Sequence, residues 1–184
     1  MKGAHILLGV TGSIAAFKAA DLTAHLTKEG AEVVVIMTRG ARRFVAPLTF
    51  ETLSRRPVIT SMWSRAQAIE PIHVELSDWA DLLVVAPATA NFIGKLAHGI
   101  ADDMLSCTAI AVKTPPLIAP AMNDRMYRHP AVQANIRTLQ ERECVFVGPV
   151  EGRLASGKIA MGRMAEIEDI VAAIRKKLGE RRGD

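Results

Sequence analysis

Five short runs of apolar, mostly branched residues recur along the chain, at His5 to Val10, Glu32 to Met37, Asp81 to Ala86, Pro116 to Ala119 and Cys144 to Val147. Each is bounded by polar residues, Gly or Pro, and reads as a strand buried on both faces. Between the runs the spacing becomes helical. Ala15, Ala19, Leu22 and Leu26 share one face of a first helix, and Ile167, Ile170, Val171, Ile174 and Leu178 share one face of the last. Alternating strands and amphipathic helices predict an α/β fold: a doubly wound parallel sheet with helices on both faces, because right-handed crossovers place them there. Ligands of such sheets sit beyond the carboxyl ends of the strands, so the residues that follow each strand are the informative ones.

Composition narrows the class. The chain has 184 residues, 49% of them hydrophobic, enough for a single domain over 1–184 with its own core. Its formal charge of +4 is a modest excess, with the clearest basic run at Arg175, Lys176, Lys177, Arg181 and Arg182. That run reads as a solvated helix end and not as a nucleic-acid footprint, while a mildly basic surface suits an anionic substrate. Cys107 and Cys144 lie in separate segments without metal-ligand spacing, which predicts reduced, buried thiols and no metal. No stretch has the length of a membrane span or of a signal-peptide core, so no membrane partner and a cytoplasmic location are expected. Ser61 to Pro71, with Met62 and Trp63, reads as a mobile loop.

The first strand runs into Gly9-Val10-Thr11-Gly12-Ser13-Ile14 and a helix, a turn whose free N–H groups could receive a phosphate. Gly12 would allow close backbone approach, and the Thr11 and Ser13 hydroxyls would donate to phosphate oxygens or cap the helix. It is neither a dinucleotide fingerprint nor a nucleoside-triphosphate loop. The second strand ends in Met37-Thr38-Arg39-Gly40 without the acidic residue that holds an adenosine ribose, so one phosphate on a cofactor lacking that ribose fits better. FMN meets that description, with Thr38 as a further hydroxyl contact. After the third strand, Ala86-Pro87-Ala88-Thr89-Ala90-Asn91-Phe92 offers small side chains, which let a planar ring or ribityl chain approach, and hydrogen-bonding groups at Thr89 and Asn91. A capped helix start is the alternative reading.

Three further features suit chemistry. His73, in the segment before Trp79, is the candidate base by virtue of its near-neutral pKa. Asn123, after the fourth strand in Pro120-Ala121-Met122-Asn123-Asp124-Arg125-Met126-Tyr127, carries an amide able to donate to a carboxylate, or else makes an Asx turn. The segment from Glu151 to Met164 reads as a flexible flap whose Arg153, Lys158 and Arg163 could close on a phosphorylated substrate, or stand as solvated loop cations.

Together these motifs, with Ala101-Asp102-Asp103-Met104-Leu105-Ser106 and the helix start His129-Pro130-Ala131-Val132, resemble the homo-oligomeric flavin-containing cysteine decarboxylases over nearly the whole chain. The resemblance implies a Rossmann/flavodoxin-like fold and FMN held at a subunit interface by Gly12, Ser13, Ile14, Thr38, Ala88, Thr89, Ala90, Asn91, Ser106, Ala121 and Met122. It implies a phosphorylated cysteinyl small-molecule substrate, held by Asn123, Met126, Arg153, Lys158 and Arg163, with decarboxylation to 4′-phosphopantetheine in coenzyme A biosynthesis. His73, Asn123 and the flap position at Ser156 are its catalytic residues, and trimers, or dodecamers built from them, its assembly.

The sequence departs from that family where its flap has Ala155-Ser156-Gly157 in place of an expected cysteine. A serine hydroxyl is a far weaker acid than a thiol, so the final proton transfer is expected to suffer and the reaction to stall at the enethiol. An oxidative peptide cysteine decarboxylase and a non-catalytic FMN-binding regulator are the alternatives. Tyr127 replaces a tryptophan of the motif and keeps an aromatic wall. The chain is read as a free-standing enzyme or as one domain ahead of a synthetase.

Overall fold

In the computed structural model, residues 1–63 and 71–181 are described. Residues 64–70 of the expected mobile loop, and Arg182 of the terminal basic run, lie outside them. All five predicted strands are observed within two residues of their expected bounds: β1 (His5–Val10), β2 (Glu32–Met37), β3 (Leu82–Ala88), β4 (Leu117–Pro120) and β5 (Val145–Phe146), the last shorter than its apolar run by one residue at each end. All five pair in parallel in the order β2-β1-β3-β4-β5, the flavodoxin-like order whose direction of winding reverses between β1 and β3.

Alternation along the strands divides the core in two. Ile6, Leu8 and Val10 of β1, Val33, Val35 and Met37 of β2, and Leu82 and Val84 of β3 face one side. There they meet α1 (Ala16–Lys28), Phe50 of α2 (Pro47–Ser54) and α8 (Ile167–Arg181), the first and last helices through the apolar faces read from the sequence. Leu7, Val34, Ile36, Leu83, Val85 and Ile118 face the other side. They are covered by α3 (Ile72–Trp79), α4 (Ala90–His98), α5 (Met104–Ala111) and α7 (Pro130–Glu141). The helix starts are built locally: Asp103 and Ser106 exchange hydrogen bonds in a capping box, and His129 Nδ1 accepts from the Ala131 N–H at 3.2 Å. Lys95 then reaches both Asp102 and Asp103, at 2.6 and 2.8 Å.

Three local readings change. The segment after Gly148 is a β-hairpin of β6 (Val150–Arg153) and β7 (Ile159–Arg163), because its glycines and small residues let two strands pair through backbone alone. His73 sits in α3, a helix hidden in the sequence by its eight-residue length. Both thiols are free, but only Cys144 is buried; Cys107 is half-exposed, with its Sγ 3.3 Å from Met62 Sδ. Burial raises the pKa of both thiols; the Asp103 and Asp102 carboxylates add to the effect at Cys107, whereas nearby cations oppose it at Cys144.

Candidate active site

The turns that follow β1, β2, β3 and β4 all lie at the carboxyl edge of the sheet. Thr11 does not present its hydroxyl to a ligand, contrary to the sequence reading. It is buried, its Oγ1 donates to the Pro87 carbonyl at 2.8 Å and accepts from the Thr89 N–H at 3.0 Å, and its own amide donates to Pro87 at 3.3 Å. Thr11 therefore braces the crevice between β1 and β3, at the point where strand order reverses. Beyond it, Gly12 is exposed and packs back to back with Gly40, so that a Cβ on Gly12 would stand 3.0 Å from the Gly40 Cα. Helix α1 starts only at Ala16, leaving Gly12 to Ala15 as an open turn. Ser13 Oγ accepts a long bond from the Ala15 N–H, 3.3 Å, whereas the Gly12 and Ile14 amides meet no acceptor among the described residues.

The β4 turn supplies the facing wall. Asn123 caps α6 (Asp124–Arg128): its Oδ1 accepts from the Arg125 N–H at 2.9 Å. The Asx turn is thus the alternative observed, and it leaves the amide nitrogen without an acceptor among the described residues. The hairpin is anchored beside it by the Met122 N–H donating to the Gly162 carbonyl at 3.0 Å. Gly162 has φ +143°, and a Cβ there would stand 2.3 Å from the Met122 carbonyl oxygen, so this contact requires glycine.

These parts enclose a cavity of about 590 Å³. Of the residues singled out from sequence, Ser13, Ile14, Ala121, Met122, Asn123, Arg153, Ser156 and Arg163 line it. Thr38 stands on the neighbouring turn, where its Oγ1 accepts from the Ala41 N–H, while Ala88 ends β3, Thr89 caps α4, and Ala90 and Asn91 open that helix. Ser106 is fully buried and its hydroxyl is committed to the α5 capping box. Met126 is exposed on α6, and Lys158 leans to Asp124, with Nζ 3.8 Å from Oδ2. His73 is not among the lining residues: α3 packs on one face of the sheet while α1 and α8 cover the other.

Lys18 and Glu166 escaped the sequence reading. Lys18 lines the cavity one helical turn beyond Ile14, a spacing that could have revealed it. Its ammonium lies 3.2 Å from Glu166 Oε2, and Glu166 also pairs with Arg163. The hydrogen bond and charge of Lys18, joined by Arg163, hold the Glu166 carboxyl below its usual range. The Arg163 side chain lies across Gly152, where a Cβ would come within 2.6 Å of Nε. That Nε is buried and unpaired. An unsatisfied donor, unengaged amides and an excess of cations around one cavity fit an anionic ligand. Among the described residues there is no group of His, Cys, Asp and Glu able to hold a metal, nor a helix long and apolar enough to cross a membrane.

Comparison with known proteins agrees with this geometry. The coenzyme A biosynthesis bifunctional protein CoaBC of Bacillus subtilis is 51% identical over 176 residues, 96% of this chain and 43% of that protein. The chain thus spans under half the length of its bifunctional relatives. A probable phosphopantothenoylcysteine decarboxylase of Streptococcus mutans is 41% identical over 94% of this chain and 98% of that protein. Among solved structures, a cysteine-to-serine mutant of PPC decarboxylase complexed with pantothenoylaminoethenethiol superposes with a TM-score of 0.85 at 34% identity, covering 95% of this chain and 98% of the other. The flavoprotein family model matches residues 1–179, which makes a flavin the cofactor to seek in this site: the chain belongs to the flavoprotein family.

Proposed function

We propose that this chain is an FMN-dependent decarboxylase that converts 4′-phosphopantothenoylcysteine to 4′-phosphopantetheine in coenzyme A biosynthesis. The observation that carries the reading is the single cavity joining the Ser13 turn, the fixed Asn123 amide and Ser156 of the hairpin. The names and near end-to-end match of the Streptococcus mutans relative support the same substrate.

A carboxylate leaves as carbon dioxide only when its electron pair has a sink, and a cysteine side chain offers none. Oxidation of the CH₂–SH group to CH=S creates one, after which loss of carbon dioxide gives an enethiol. FMN, when bound, supplies the two-electron acceptor for that oxidation. The chain's own groups bind and orient. The Gly12 and Ile14 amides and the Ser13 hydroxyl take the cofactor phosphate, and Thr38, Ala88, Thr89, Ala90, Asn91, Ala121 and Met122 bound the remainder, over buried Ser106. Asn123 donates to the substrate carboxylate without adding a charge, beside Met126. Arg153 and Arg163 draw in the phosphate.

His73, as base or aligning group, acts from a neighbouring copy, because it is not among the residues that line the cavity of its own chain. A homo-oligomer, a trimer or a dodecamer of such trimers, brings the two together. Exposed Phe17 of α1 and Leu48 of α2, two helices that pack together, are suited to that contact.

Ser156 favours a second reading of the outcome. With no thiol at the hairpin tip, the enethiol lacks an efficient proton donor and accumulates as product. Anaerobic mixing with 4′-phosphopantothenoylcysteine, followed by absorbance and product mass, tests both. The full reaction is expected to give carbon dioxide loss, the saturated product and flavin returned to its oxidised form; the second reading gives carbon dioxide loss with the flavin left reduced, relieved by Ser156→Cys. A saturated product from the unsubstituted chain would remove the stall, and no spectral change would remove this substrate.

A further inference from the structure

Asp124 is the one buried carboxylate among the described residues, and it follows Asn123 at the start of α6, against β7. A carboxylate leaves water at high cost unless a cation or donors accompany it. The cation paired with it is Lys158, whose Nζ stands 3.8 Å from Oδ2. Lys158 reaches it from the hairpin tip, a tight turn in which the Leu154 N–H donates to the Lys158 carbonyl at 2.8 Å and the Gly157 N–H to the Leu154 carbonyl at 2.9 Å. Ser156 sits inside that turn. The ion pair therefore bridges the same two elements that carry Ser156 and Asn123 to the cavity.

We propose that Asp124 and Lys158 form a latch that sets the position of the hairpin tip over the cavity. The base of the hairpin is held by backbone, through Gly162 and Met122, whereas the tip is held by charge. Lys158 is then a positioning residue committed to Asp124. Arg153 and Arg163 line the cavity, and of the two Arg163 also pairs with Glu166, so Arg153 is the hairpin cation left for an anionic substrate.

The latch rests on reading the cavity as the substrate site, so one readout independent of turnover accompanies one that depends on it. The first is tryptic cleavage after Arg153, followed by mass spectrometry on protein of unchanged flavin content. Asp124→Asn and Lys158→Met should each speed cleavage roughly two- to fivefold, the range an ion pair with one exposed partner commands, and Lys158→Arg should not. The double variant should cleave no faster than the faster single one, because both remove the same interaction. The second is the Michaelis constant for 4′-phosphopantothenoylcysteine, expected to rise by a similar factor in each single variant. Unchanged cleavage, or effects that multiply in the double variant, would overturn the latch. Faster cleavage with an unmoved constant would overturn its positioning role. Faster cleavage in a chain that never turns over this substrate would retain the latch and remove the substrate reading.

Discussion

The sheet and the hairpin are built by different means. Every residue of β3 and β4 is buried, and their side chains are spent on the two cores. In β6 and β7 only Gly162 is buried, and the ladder of backbone bonds holds the pair together. Burial thus specifies the platform, whereas backbone pairing leaves the hairpin's side chains available for a ligand. Stability and chemistry are carried by separate parts of one chain.

That division can be broken first at the sheet. Leu8→Ala, fully buried in β1, should lower unfolding free energy by about 2–5 kcal/mol, whereas Ile159→Ala, 75% exposed in β7, should change it by less than about 0.5 kcal/mol. Urea unfolding monitored by circular dichroism checks both, and comparable losses would refute the division. A hairpin change should do the reverse. Gly162→Ala forces a Cβ onto the Met122 carbonyl and displaces the hairpin base, so kcat/KM should fall about 100-fold while the unfolding midpoint of the sheet stays close to its original value.

Acid sharpens the contrast by a smaller amount. Because Lys18 and Arg163 lower the Glu166 pKa in the folded chain, its contribution is present above the unfolded glutamate value of about 4.3 and is lost as pH falls through the lower folded value. The urea midpoint should decline below about pH 5, and Glu166→Gln should decline less steeply. Identical slopes would remove Glu166 from that tie.

What the sequence made legible follows the same boundary. The strands at His5, Glu32, Asp81 and Pro116 announce themselves because burial on both faces leaves a continuous apolar run. The hairpin does not, since Val150 to Arg163 is specified by backbone pairing and by one glycine contact across sequence. Asn123 was visible as an amide beyond a strand, but its orientation comes from the Arg125 N–H, a local bond that composition cannot reveal. Thr11 was misread because its role depends on Pro87 and Thr89, more than seventy positions away. Glu166 was missed for the same reason, since its pairing with Lys18 is tertiary, whereas Lys18 itself lay within reach of the helical spacing from Ile14.

The Thr11 brace also has a mechanical consequence. Three hydrogen bonds made by one residue fasten the ends of β1 and β3 together, so opening the crevice between them means breaking all three at once. To whatever sits above it, the end of the sheet is a floor, not a door.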